Sequence, residues 1–452
     1  MQKPAYDKGS VRKHVAQVRG LLNSAELSDL AASAAQQIPG DGDAAAKIAA
    51  ALPHVDQAEV SSGGARPGVP YMSRDPLVSL IQSSIEEKLI ERKGVTDEPG
   101  HGLWAWIVHF ADRYLNLQLG QFQPDDPEWY LQIARSSLEH LARGNHPFNP
   151  RPAEHQISDT ARLVVVGDWG SGLGRARQVA VHMQEEIAGA LADGREAHAV
   201  HLGDVYYSGL ASEDQRRFLA YWPVTAAQAA SGVTSWSLNG NHDMYSGGYG
   251  YFGTLLADPR FAAQHSPDGQ PTSFFRLTSP SWDFVALDTS WDQNVLTTGA
   301  VAVLQDPQAG YVAKVAGESA RKLVLFSHHQ LTSLYDQHDL GPELSGKLAP
   351  VLTTNRVTAW WWGHEHRAMT FRPSGGVQYP RCLGNGGIPV LRDPALTEQG
   401  RTVADWESRR YIWSGLRRWA RSGFAVIDLA GDTISVRYRD DDGRQVHRET
   451  VS

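Results

Sequence analysis

The sequence predicts an α/β fold, in which a sheet-centred layer follows an all-helical N-terminal region. Two observations lead to this prediction. Over residues 1–150 apolar side chains recur at helical spacing, whereas after residue 160 short apolar runs alternate with helix-like runs. Alternation of this second kind is typical of βαβ units. The chain has 452 residues, which is long enough for two domains.

The N-terminal region is predicted to be helical from its start and stop signals. Asp75–Gly94 and Asp126–Gly144 each begin with an Asp-Pro pair and end at glycine, with apolar residues at helical spacing between. No residue of 1–150 suggests a chemical role. The region is interpreted either as a docking or regulatory module for a partner, or as a cover that packs beside the second domain and limits substrate access. Pro147, Pro150 and Pro152 indicate a boundary, so residues 151–160 are predicted to be a linker, followed by a domain over 161–452.

Composition excludes several classes of function. The net charge of −8 shows no basic excess of the kind that binds nucleic acid. The single cysteine, Cys382, excludes an intrachain disulfide and a cysteine-based zinc site. No apolar stretch approaches the length of a membrane helix, and the N-terminus lacks the pattern of a signal peptide. We therefore expect a cytoplasmic protein that does not bind membranes.

The predicted strands of residues 161–452 share one feature: each ends in a residue that can ligate a metal ion. These residues are Asp168, Asp204, Asn241 with His242, His328 with His329, and His364 with His366. In open α/β sheets ligands bind outside the carboxyl ends of the strands, so these side chains are expected to converge. Oxygen and nitrogen donors without thiolate favour iron, manganese or zinc over calcium or magnesium. About seven ligands are too many for one tetrahedral ion, and they indicate two ions that share a bridging carboxylate.

Five ordered segments, GDWG, LGDVYY, NGNHD, LFSHH and WGHEH, resemble the motifs of calcineurin-like metallophosphoesterases. The resemblance covers residues 161 to about 452. Gly170 stands where many members of that family have histidine, and Tyr207 follows Asp204 by three positions. Both features, and the closing strands, resemble the purple acid phosphatase branch. The resemblance implies a metallophosphoesterase-type β-sandwich flanked by helices, and a phosphomonoesterase that attacks phosphorus with a metal-bridging hydroxide; a phosphodiesterase of cyclic nucleotides or other diesters is the alternative.

The resemblance also implies a set of ligands for each ion. Asp168, Tyr207 and His366 would hold the first ion, which the tyrosinate suggests is Fe(III). Asp204 would bridge the two ions. The second ion, Fe(II), Zn(II) or Mn(II), would be held by the remaining ligands, which are Asn241, His328 and His364.

Further residues are predicted around these ligands. His242 is expected to act as general acid toward the leaving group, and Asp243 to orient its ring. The resemblance places a phosphate-contacting histidine near His338. His329 is predicted to lie behind the ligands, buried and hydrogen-bonded, and Asp288 is predicted to have a structural role only.

Overall fold

The structure is a computed structural model. It describes Ser136, His140 and residues 143–452, except for 294–301, 334–340, 391–403 and 415–416. Most of the predicted N-terminal helical region lies outside the described residues, and so does His338. No helix in the described part of the chain is both long and apolar enough to cross a membrane.

The regular elements of the described chain are mostly strands. In chain order the strands are β1 (Ala153–Gln156), β2 (Arg162–Val166), β3 (Ala197–His201), β4 (Thr234–Ser237), β5 (Phe275–Thr278), β6 (Trp282–Leu287), β7 (Lys322–Ser327), β8 (Val357–Trp362), β9 (Ala368–Phe371), β10 (Val377–Leu383), β11 (Ala404–Glu407), β12 (Tyr411–Ser414), β13 (Arg417–Ala420), β14 (Gly423–Ala430), β15 (Thr433–Asp440) and β16 (Gln445–Val451). The α-helices are α1 (Gly174–Ala192), α2 (Ala211–Glu213), α3 (Ala226–Ala230), α4 (Asn241–Met244), α5 (Asp306–Glu318) and α6 (Gly341–Leu352). Shorter turns are π-helical at Asp214–Leu219 and Tyr251–Leu255, and 3₁₀-helical at Pro259–Phe261.

Two large sheets form the centre of the fold. One has eight strands in the order β1-β5-β6-β7-β8-β10-β9-β11, and the other has six in the order β16-β15-β14-β2-β3-β4. Within them, β2, β3 and β4 run parallel, and so do β6, β7 and β8. The last three strands of the chain form the predicted antiparallel meander. The predicted class, an α/β fold with a β-sandwich flanked by helices, is confirmed for the described residues.

The alternation of side chains along β2 shows how the layers are arranged. Leu163 and Val165 point into a core shared by the two sheets, whereas Val164 and Val166 pack with apolar residues of α1. Successive residues of a strand face opposite sides of its sheet, so a strand buried on both faces is apolar throughout. This is the reason that the last four of the five residues of β2, LVVV, are apolar.

The eight-stranded sheet is covered in the same way by the other two long helices. Trp361 of β8 lies in the core between the sheets, whereas Trp360 and Trp362 lie in a third apolar cluster with residues of α5 and α6. All three tryptophans are fully buried. The order of layers is therefore helix, sheet, sheet, helix. Because both faces of each sheet are covered by apolar side chains, polar side chains can cluster at the ends of the strands.

A strand lies just before the predicted start of the second domain. The predicted linker contains β1, which pairs in parallel with β5 at the edge of the eight-stranded sheet. Before it, Ser136, His140 and Arg143 are helical, and Gly144, at a φ of 67°, donates its N–H to the carbonyl of His140. This is the glycine stop that the sequence predicts, because a left-handed residue at a helix end costs glycine no steric strain.

Candidate metal centre

One group of polar side chains lies where β2, β3 and β8 end. The Tyr206 hydroxyl lies 2.9 Å from Asp168 Oδ1, 3.0 Å from Asp204 Oδ2 and 2.9 Å from His366 Nε2. His366 Nε2 is 3.2 Å from Asp168 Oδ1. The other oxygen of Asp168 accepts the N–H of His364 at 2.7 Å. Four potential ligand atoms thus face one another in a buried site.

The tyrosine in this group is Tyr206, whereas the sequence predicts Tyr207. The Tyr207 ring lies instead against the Arg217 guanidinium, 4.9 Å from its centroid. Its backbone N–H donates to Glu213 Oε1 at 2.5 Å, and its carbonyl lies 2.6 Å from His242 Nδ1. Tyr206 follows Asp204 by two positions in the turn after β3, where the left-handed φ of Asp204, 77°, sets the direction of the backbone.

A second group of side chains adjoins the first. His328 Nε2 lies 3.0 Å from Asn241 Oδ1, 3.2 Å from His364 Nδ1 and 3.4 Å from Asp204 Oδ2. Asp204 Oδ2 therefore contacts both Tyr206 and His328. One carboxylate oxygen between two ligand sets is the arrangement expected of a bridging ligand.

The separations test whether the residues fit metal ions. Ligand atoms held about 2.0–2.1 Å from one ion lie about 2.8–3.4 Å apart when they are neighbours on a tetrahedron or octahedron. All the contacts within the two groups fall in that interval, from 2.9 to 3.4 Å. Asp168 and Asp204 are almost completely buried, and a buried carboxylate is stable only when cations or donors neutralise it. The residues therefore fit a pair of ions.

The electrostatics of the two groups point the same way. Burial alone would raise the pKa of Asp204, but the adjacent His328 and His242 hold it well below its usual range. Burial would lower the pKa of His328, but the carboxylates of Asp204 and Asp168 raise it to about 9. Burial and the same two carboxylates raise the pKa of Tyr206. A phenolate at Tyr206 therefore needs a cation beside it.

The backbone is strained at four of the predicted ligands. Asp168, Asp204, His364 and His366 have φ values of 55°, 77°, 67° and 50°. Such left-handed conformations cost non-glycine residues about 1–3 kcal/mol and persist only where the surroundings fix them. Gly203, at a φ of 101°, allows the close approach of β3 to the centre, since a Cβ there would lie 2.8 Å from His328 Nδ1.

His242 lies at the edge of the centre, as the prediction of a general acid requires. Its Nδ1 lies 2.6 Å from the Tyr207 carbonyl, which only accepts, so Nδ1 carries a proton and Nε2 is the exchangeable site. His242 Nε2 is 4.0 Å from Asp204 Oδ2. Burial lowers the pKa of His242, an effect that the Asp204 carboxylate offsets only in part. The Tyr207 carbonyl is therefore a hydrogen-bond partner of this ring, for which the sequence predicts Asp243.

Asp243 instead holds the backbone of two loops. Its Oδ2 accepts the N–H of Gly240 at 2.6 Å and of Asp204 at 2.9 Å, and its Oδ1 accepts the N–H of Val205 at 3.2 Å. These bonds tie the loop after β3 to the start of α4. Since both segments carry predicted ligands, the hydrogen bonds of Asp243 fix the backbone that positions those ligands.

Replacing Asp243 with alanine is expected to destabilise the protein, because three buried N–H groups would lose their acceptor. Each unsatisfied donor costs about 1–3 kcal/mol, so we expect the free energy of unfolding to fall by about 3 kcal/mol or more. Urea unfolding followed by circular dichroism measures this. Asp243→Asn keeps one acceptor oxygen and should lose less; equal losses in the two variants would contradict the account.

His329 lies beside two of the predicted ligands, closer to them than the sequence predicts. It is fully buried, and its ligand atom lies within 4.8 Å of those of His328 and His364. Its Nδ1 is 2.9 Å from Thr289 Oγ1. The only sequence signal is the paired histidine at the end of β7. Asp288, predicted to be structural, bonds Ser273 and the backbone of the loop that follows it.

The chain is similar to a known protein family and to several known phosphatases. Residues 161–368 match the family model described as calcineurin-like phosphoesterase. Tartrate-resistant acid phosphatase type 5 from Oryctolagus cuniculus is 25% identical over 322 residues, which cover 66% of this chain and 92% of the relative. Purple acid phosphatase 4 from Arabidopsis thaliana is 24% identical over 341 residues, which cover 71% and 90%. The solved structure of a dimetal phosphatase from Danio rerio aligns with a TM-score of 0.45 at 13% identity, over 65% of this chain and 99% of that one.

The matched domain and its buried ligand sets define a metal-dependent phosphoester hydrolase. Residues 161–368 carry the calcineurin-like phosphoesterase domain, and the chain is similar to relatives of the purple acid phosphatase branch. The resemblance predicted from the five motifs is confirmed.

Proposed function

We propose that this protein is a phosphomonoesterase with a dinuclear metal centre. The observation that carries the proposal is the position of Asp204 Oδ2, which contacts Tyr206 of one ligand set and His328 of the other. The names of the relatives, which are acid phosphatases, support a monoester as the substrate.

The proposed ligands follow from the two groups. Asp168, Tyr206 and His366 would hold the first ion, and Asp204 would bridge. Asn241, His328 and His364 would hold the second. A phenolate and carboxylates are hard donors, which favours Fe(III) at the first position, with Fe(II), Zn(II) or Mn(II) at the second.

The residues of the chain perform the remaining tasks. Two such ions, when bound, supply a nucleophile from water at neutral pH and neutralise charge during displacement at phosphorus. His242 would then hold a proton on Nε2 and give it to the oxygen of the leaving group. The Tyr207 carbonyl keeps the other ring nitrogen protonated, so that the ring presents Nε2 in a fixed orientation. All seven proposed ligands are buried, so neighbouring side chains shield their charges from bulk solvent.

The choice of substrate can be tested with two matched aryl esters. We expect kcat/KM for p-nitrophenyl phosphate to exceed that for bis(p-nitrophenyl) phosphate, with the same enzyme and the same metal content. Hydrolysis of simple alkyl monoesters at a measurable rate would support the proposal further. A preference for the diester would overturn it and favour a phosphodiesterase on the same centre.

The tyrosine ligand can be identified from the colour of the iron-loaded protein. A tyrosinate bound to Fe(III) absorbs visible light, so Tyr206→Phe is expected to abolish the band and Tyr207→Phe to leave it. The two variants are adjacent and equally buried, and each serves as the control for the other. Loss of the band in Tyr207→Phe alone would restore the ligand that the sequence predicts.

A further inference from the structure

We infer that Tyr245 is a positioning residue, which fixes the side-chain amide of Asn241 so that its oxygen faces the second ion. His140, a helical residue of the N-terminal region, contacts the backbone carbonyl of Tyr245. The inference rests on the proposed function, because it assumes that Asn241 is a ligand.

The argument begins with the asymmetry of an amide. Asparagine carries one oxygen, which can ligate a cation, and one NH₂ group, which cannot. A half-turn of the side chain would exchange the two and turn an N–H toward the ion. Asn241 needs a partner that distinguishes its two ends, because rotation about the last bond meets only a broad, weak barrier.

Tyr245 supplies that partner. Its hydroxyl lies 2.6 Å from Asn241 Nδ2, while Asn241 Oδ1 lies on the other side, 3.0 Å from His328 Nε2. Asn241 begins α4 and Tyr245 follows it by four residues, so the two side chains share one face of the helix. Both side chains are buried, with 2% and 1% of their surface exposed, so water does not compete for the Nδ2 group.

The backbone of Tyr245 is contacted in turn by His140, a helical residue that precedes Gly144. His140 Nδ1 lies 3.2 Å from the Tyr245 carbonyl. Ser136, which is also helical, has its hydroxyl 2.8 Å from that of Ser208, which follows the loop of Asp204. Ser136 and His140 therefore contact both segments that carry predicted ligands.

Removing the Tyr245 hydroxyl is expected to weaken binding of one ion without removing any ligand. Outer partners that orient metal ligands typically contribute about 10–100-fold to metal affinity, and we expect a loss in this range for Tyr245→Phe. His140→Ala should lower the affinity in the same direction but by less, since it acts through the backbone of Tyr245.

The experiment measures Zn(II) retention rather than turnover. The full-length protein is loaded with Zn(II) and equilibrated with increasing concentrations of a chelator, and the zinc that remains per chain is counted. Tyr245→Phe is expected to release one zinc ion at a lower chelator concentration than the parent does. Tyr249→Phe is the matched control, because this nearby hydroxyl donates to the Arg143 carbonyl, at 3.1 Å, and its removal should leave retention unchanged.

The same substitution in a second variant distinguishes the loss of positioning from general damage to the loop. Asn241→Asp places an oxygen at both ends of the side chain, so its orientation matters less. Tyr245→Phe should therefore change zinc retention much less in the Asn241→Asp background than in the parent. An equal loss in both backgrounds, or no loss in the parent, would overturn the inference.

The failure of the proposed centre would look different. Asn241→Ala removes a proposed ligand and should release one zinc ion whatever Tyr245 does. If Asn241→Ala retains both ions, Asn241 is not a ligand, and the proposed centre and this inference both fall. If Asn241→Ala loses an ion and Tyr245→Phe does not, only the role of Tyr245 is overturned.

Discussion

Asp204→Asn is expected to lose both ions and nearly all activity. The substitution turns the bridging carboxylate into a neutral amide with a single oxygen. In the parent, Asp204 Oδ1 accepts the backbone N–H of His242 at 3.0 Å, so the one oxygen of asparagine would have to serve both that bond and the ions. Two ions contribute several kcal/mol to stabilising the transition state, so their loss corresponds to about a 10³-fold or greater fall in kcat/KM. Elemental analysis and steady-state kinetics on the same sample measure both effects.

Asp288→Asn is the control for this change. Asp288 also follows a buried strand, β6, and is itself fully buried, but its partners are Ser273 and the N–H groups of Ser290 and Trp291. The variant should retain both ions even if its unfolding temperature falls. Retention of two ions by Asp204→Asn would show that this carboxylate does not bridge.

His242→Ala is expected to keep both ions and to slow the release of poor leaving groups. A general acid contributes about 10²–10⁴-fold, so kcat for an alkyl phosphate should fall by that factor. p-Nitrophenolate leaves without a proton, so kcat for its ester should fall much less. If both esters slowed equally while the metal content stayed intact, His242 would have another role.

The pH dependence follows from the direction of the His242 shift. The acid form is the active one, and burial lowers the pKa of this histidine below its usual range. Bound cations would lower it further. The rate with an alkyl phosphate should therefore be highest in acid and decline as the pH rises through that pKa, already below neutrality. His242→Ala should lose this decline, which a pH–rate profile of the two proteins would show.

The convergence of the strand ends could be predicted from sequence because it depends on two local features. A buried strand needs a continuous apolar run, and a polar residue directly after the run then lies at the end of the sheet. Asp168, Asp204 and His328 each follow such a run, and parallel neighbours bring their ends together. The layered fold follows from the same alternation of apolar strands and amphipathic helices.

Other features depended on tertiary structure. The difference between Tyr206 and Tyr207 is set by the backbone path after Asp204, whose left-handed φ has no signature in the letters GDVYY. The sequence predicts a linker over β1 because three prolines lie just before it, and its partner β5 lies far along the chain. The contacts of Asp243 and His140 likewise join segments whose proximity no local pattern records.

The left-handed backbone at Asp168, Asp204, His364 and His366 limits how this protein can change. Glycine would relieve the strain at each position, but glycine offers no ligand atom. A descendant that no longer needed the ions could become more stable through such substitutions, since stability and activity oppose each other there. As long as these four positions keep their side chains, the folded domain is less stable than its glycine variants would be, but it keeps its ligand atoms. Drift toward glycine at them would be an early sign, readable from sequence alone, that the enzyme had become a scaffold.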